Sequence, residues 1–153
     1  MCITIRAATL ADTNFLADCN AAMAQETERK TLDRDVLLRG ARAVFDDPHR
    51  GFYLIAERDG ALAGCLLITH EWSDWRDGDW WWIQSVYVAP AARRHGVFRA
   101  LYAAVEQRAQ AAGAVGLRLY VEQHNARAQA TYAALGMTAE PYQMLNRVFT
   151  RRA

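Results

Sequence analysis

Residues 86–101 read Val-Tyr-Val-Ala-Pro-Ala-Ala-Arg-Arg-His-Gly-Val-Phe-Arg-Ala-Leu, and they constrain the fold more than any other stretch. An apolar run stops at Pro90, a basic loop with one glycine follows, and a pattern of helical period begins at Phe98. A strand therefore hands over to an amphipathic helix through a short turn. Backbone N–H groups at such a helix start have no intrahelical partners, and the helix dipole adds positive potential. A phosphate group fits there. Arg93, Arg94 and Arg99 add charge, and Gly96 permits close approach to the backbone. The same residues also fit an ordinary strand–loop–helix with solvated arginines. No Walker spacing G-x-x-x-x-G-K-[ST] is present, and no dinucleotide fingerprint G-x-G-x-x-G.

The rest of the chain supplies the partners of that unit. Ile3 and Ile5 alternate with Thr4 and Arg6, which predicts a first strand. Asp12 is placed to cap a helix to about Gln25, with Phe15, Leu16 and Cys19 on its buried side. A second helix is expected after Asp33, carrying Val36, Leu37, Ala41, Val44 and Phe45 and stopping before Pro48. The period then changes to that of strands: 52–57 and 62–69, separated by the turn signal Arg58-Asp59-Gly60, and 80–88 after a tryptophan-rich loop. Phe98, Leu101, Tyr102, Val105 and Ala109 share a helix face that Gly113 terminates. A strand over 116–122, a helix from Asn125 to Leu135 and a closing strand over 142–149 complete the order β-α-α-β-β-β-α-β-α-β. This is a mixed α/β sheet with helices on its faces. With no Pro/Gly/Ser-rich linker, 153 residues read as one domain, 1–153.

Composition excludes several classes. Hydrophobic residues make up 52% and charged ones 23%, which excludes an intrinsically disordered chain. Eighteen basic residues, all arginine except Lys30, face 17 acidic ones, so the net charge of +1 gives no footprint for nucleic acid or a membrane surface. Cys2, Cys19 and Cys65 are odd in number and widely spaced, which predicts free thiols rather than a disulfide framework. His70, His95 and His124 have no metal-site spacing, so no metal is expected. No signal-peptide pattern and no apolar run of about 20 residues occurs, which points to a cytoplasmic protein.

Two segments resemble one family. Arg93-Arg-His-Gly96-Val-Phe98 is similar to motif A of the GNAT acyltransferase superfamily, [Q/R]-x-x-G-x-[G/A] after a strand, with Phe98 where the family has glycine or alanine. The run from Leu119 through Asn125 and Tyr132 to Gly136-Met137 resembles its motif B. The resemblance implies a GNAT-like acyl-CoA N-acyltransferase fold with a central, mostly antiparallel mixed sheet. It also implies acetyl-CoA as cosubstrate, with pantetheine in a cleft where the fourth and fifth strands splay. On that reading Val86, Tyr87 and Val88 offer open backbone to pantetheine. Arg93, Arg94, His95, Gly96, Val97, Phe98 and Arg99 cradle the pyrophosphate, and Asn125 touches the cofactor or simply caps its helix. Tyr132 stands where the family places a tyrosine near the thioester sulfur; core packing is its alternative role.

Five tryptophans fall between His70 and Trp82, more than a hairpin's packing needs. They mark either an acceptor pocket or a subunit interface, the latter allowing a homodimer. Trp72, Trp75 and Trp82 would wall the acceptor, and Glu26 and Glu28 would draw a cationic amine. Glu71 is the first choice as base, Gln84 orients the amine, and Glu26 is the reserve base. Gln84 is expected on one strand face with Val86 and Val88. The activity expected is direct acetyl transfer to a primary amine of a small molecule. A protein N-terminus or lysine as acceptor, or a non-catalytic acyl-CoA-binding module, remains the alternative.

Overall fold

Alternating Ile3 and Ile5 do form the first strand, β1 (Ile3–Ala7), in the computed structural model, which describes residues 1–150. Helix α1 (Thr13–Glu28) does start after Asp12, but the Asp12 side chain does not cap it: its carboxylate turns back to accept from the Thr9 N–H at 2.7 Å. Asp33 caps α2 (Arg34–Asp46) by accepting from the Asp35 N–H at 2.8 Å. Strands β2 (Phe52–Arg58) and β3 (Ala61–Ser73) meet at Asp59-Gly60, both at positive φ, as a tight hairpin requires. Then come β4 (Gly78–Val88), α3 (Val97–Ala111) and β5 (Gly116–Leu119).

The sheet order is β1-β2-β3-β4-β5. Every pair is antiparallel except β4 with β5, which α3 connects as a crossover. One face packs on α1 and α2 through Leu16, Cys19, Ala41, Tyr53, Ile55, Cys65 and Tyr87. On the other, α3 crosses all five strands, and Leu54, Leu66, Ile68, Val97, Leu101 and Val105 are fully buried. Gly116 fits because a Cβ there would stand 2.6 Å from the Trp80 ring.

Contacts separate Met1–Tyr120 from the segment that begins at Val121. In that second unit α4 (Ala126–Ala134) starts at Asn125, whose Oδ1 accepts from the Ala128 N–H at 3.1 Å. The predicted closing strand over 142–149 does not form: those residues carry no regular structure and are exposed. The pattern there puts Tyr142, Met144 and Val148 on one phase of the alternation and Leu145 and Phe149 on the other. No single face is therefore selected for burial. The strand predicted over 116–122 is also shorter, ending at Leu119.

Candidate functional site

The backbone of β4 is paired on both edges only along part of its length. Its ladder to β5 runs from Trp80/Gly116 to Ile83/Leu119 and stops. Past that point the Ala89 N–H donates to the Ala63 carbonyl at 2.8 Å, toward β3. Amide direction alternates along a strand, so Val88 and Val86 turn theirs to the edge that β5 has left. That open edge runs straight into the loop before α3.

A bulge sets which side chains accompany it. Directly opposed residues share a face. Thr69 opposes Trp82 and Ile68 opposes Ile83, but Leu67 opposes Ser85, which leaves Gln84 as the extra residue. Beyond it Val86 opposes Leu66, on the α3 face with Ile68 and Ile83. Gln84 Oε1 accepts from Thr69 Oγ1 at 3.3 Å, which groups it with Thr69 and Trp82 on the α1/α2 face. Gln84 therefore does not share a face with Val86 and Val88, because the bulge shifts the alternation by one.

In the loop, Arg94 and Gly96 take positive φ, 65° and 83°. The helical ladder of α3 opens with the Ala100 N–H donating to the Gly96 carbonyl at 3.0 Å, so the N–H groups at the helix start precede it. His95 Nδ1 lies 2.7 Å from the Arg93 carbonyl, Val97 is buried, and Phe98 lies 6.2 Å from the Tyr102 ring, centroid to centroid. Arg94 and Arg99 are exposed and form no ion pair among the described residues. Arg93 differs. Its Nη2 donates to Glu26 Oε2 at 2.8 Å and Oε1 at 3.1 Å, and its Nε to the Val88 carbonyl at 2.9 Å. The Tyr87 hydroxyl donates to Glu26 Oε1 at 3.1 Å. Burial first, and Glu26 second, push the Tyr87 phenol above its ordinary range, so it stays a donor.

Farther along the same face Glu71 accepts from Trp82 Nε1 at 3.1 Å and from Arg118 Nη1 at 2.7 Å. Arg118 lies 3.9 Å over the Trp80 ring, and the Trp82 and Tyr120 rings stand 4.6 Å apart. The three tryptophans assigned to an acceptor wall are not brought together. Trp72 opposes Asp79, which puts it on the face opposite Trp82, where it lines a cavity of about 370 Å³ with His70 and Trp81. Trp75 is 88% exposed in the turn. Glu28 pairs loosely with Lys30 at 3.8 Å. Arg118 and Tyr120 escaped the sequence reading. Their only signal is the alternation Arg118, Tyr120 along a short strand.

Asn125 and Tyr132 belong to the second unit. Burial pushes the Tyr132 phenol above its ordinary range. The buried Cys65 thiol is raised well above its ordinary range by hydrogen bonding to Cys19 and by desolvation, the opposite of an activated nucleophile. Among the described residues no group of three or more His, Cys, Asp or Glu is placed to hold a metal, and no helix is long and apolar enough to cross a membrane.

A family model described as Acetyltransferase (GNAT) family matches residues 16–137. A mycothiol acetyltransferase from Frankia alni is 38% identical over 135 residues, 83% of this chain; the matched part is only 39% of that relative's length. A structure titled as a possible acetyltransferase from Clostridium difficile 630 is 38% identical, with TM-score 0.90 over 99% of this chain and 100% of that one. A ribosomal-protein-alanine N-acetyltransferase from Brucella melitensis biovar Abortus 2308 is 19% identical, with TM-score 0.78 over 97% and 100%, a likeness of fold alone.

Proposed function

Because the chain belongs to the acetyltransferase (GNAT) family, we propose that it moves an acetyl group from acetyl-CoA to a primary amine of a small molecule in a ternary complex. The observation that carries this is the open β4 edge at Val86 and Val88, continuous with the basic start of α3. The Val86 and Val88 N–H groups, turned to that edge, suit the carbonyls of pantetheine, like an added strand. The helix start, with Arg94, Gly96 and Arg99, suits the pyrophosphate. The α1/α2 face beside that edge carries Gln84, Trp82 and Glu71.

The amine nitrogen attacks the thioester carbonyl carbon; the C–N bond forms, the C–S bond breaks, and the CoA thiolate leaves. The sulfur must gain one proton and the nitrogen must lose two, one of them as the amide forms. The other leaves before attack, because the cation is no nucleophile. Glu71, with its side chain 44% exposed, accepts it directly or through a water, and Gln84 orients the amine. The thiolate gains one from Tyr132, and the nitrogen's second proton returns the tyrosinate to a phenol through water. No residue serves as a covalent nucleophile in this reading. CoA release, followed with a thiol reagent against a panel of amines, amino acids, polyamines and aminoglycosides, tests it. Release that depends on an amine supports the transferase; CoA binding with no release for any acceptor favours a binding module.

A further inference from the structure

Glu26 stands in the last turn of α1, where helix-end carbonyls make a carboxylate unfavourable and where no basic residue of the helix offsets it. Its partners come from elsewhere in the chain. Both its oxygens are taken: Oε1 by Tyr87 and Arg93, Oε2 by Arg93. Arg93, in turn, uses its guanidinium in two directions, toward Glu26 and toward the Val88 carbonyl, with its plane over the Tyr87 ring at 5.4 Å. One carboxylate thus ties the end of α1, the end of β4 and the first residue of the loop before α3.

We propose that Glu26 is a positioning residue for the acyl-CoA site. By holding Arg93 it fixes the last carbonyl of the open β4 edge and the Arg93–Gly96 turn in the geometry that receives the cosubstrate. This rests on the acetyl-CoA reading above. It removes Arg93 from direct service to the pyrophosphate and leaves Arg94 and Arg99 as the charges for it. Arginine is needed at 93 because Nε and Nη2 act at once, and a lysine ammonium cannot span both acceptors.

The test is calorimetric binding of CoA to wild type, Glu26→Ala, Arg93→Ala, Arg93→Lys, Tyr87→Phe and the double variant Glu26→Ala/Arg93→Ala, with steady-state kinetics once an acceptor is known. Loss of a charge-assisted hydrogen bond of this kind corresponds to about a tenfold rise in Kd, expected for Glu26→Ala and both Arg93 variants. The double variant should bind no worse than either single one, because the two residues act as a unit. At saturating acetyl-CoA, kcat should stay within about threefold of wild type, and acceptor KM should not move. Tyr87→Phe keeps the ring and loses one donor, so it should show the same effect in weaker form and serves if Glu26→Ala does not fold. Two results overturn the proposal. One is Glu26→Ala binding CoA as wild type does, or more tightly, while Arg93→Ala weakens it; Arg93 would then meet the phosphate itself. The other is unchanged CoA affinity with kcat down by about a hundredfold, which would put Glu26 at the reacting amine. Wild type that binds no CoA at all defeats the acetyl-CoA reading, and this one with it.

Discussion

Arg118 Nη1 lies 2.7 Å from Glu71 Oε2, a pairing between the fifth strand and the far end of the third. The second Glu71 oxygen takes the Trp82 indole at 3.1 Å. The acid proposed as base is therefore held in one orientation, on the same face as Gln84. Glu71→Gln keeps the shape and loses the proton acceptor. Its kcat/KM should fall by about a hundredfold and the acidic limb of the pH–rate profile should vanish. A profile identical to wild type removes Glu71 from the base role.

Tyr132 is a phenol, protonated at neutral pH like any tyrosine, and burial raises it further. Tyr132→Phe should lower kcat by about a hundredfold while acetyl-CoA affinity stays within about twofold. Pre-steady-state thiol release, with binding measured separately, checks this. A wild-type rate would assign Tyr132 to packing.

Asp12 accepts two hydrogen bonds from Arg6, at 2.8 and 2.9 Å, and one from the Thr9 N–H. Arg6 foremost holds the Asp12 carboxyl below the usual range, against the cost of burial. A lowered folded-state value gives stability that is complete above the unfolded value, about 3.9, and is lost as pH falls through the folded one. Asp12→Asn should therefore cost about 2 kcal/mol at pH 7 in urea unfolding, and the gap to wild type should narrow below about pH 4. A gap that is constant with pH contradicts the assignment.

Local patterns carried much of this in the sequence. Strand alternation at Ile3 and Ile5, caps at Asp33 and Asn125, and the turn at Asp59-Gly60 are decided within a few residues, and all appear. The stop of the helix before α3's connection to β5, at Gly113, is of the same kind. What stayed hidden depends on residues far apart. Nothing near Arg93 points to Glu26, 67 positions away. The bulge at Gln84 depends on the opposing strand, and simple alternation along β4 puts Gln84 on the wrong face. The closing strand failed because an apolar tail with two equivalent phases names no partner.

The central claim is that CoA binds at the start of α3, and the ligand-induced rise in melting temperature tests it most directly. At about 100 times its Kd, CoA should raise Tm by about 5–10 °C. Gly96→Asp places a negative charge where the phosphates belong and should abolish that shift relative to its own unliganded Tm. Gly96→Asn has nearly the same shape, tolerates positive φ and carries no charge, so it should keep part of the shift. Gly96→Asp with the full wild-type shift, or wild type with none at millimolar CoA, would contradict the account.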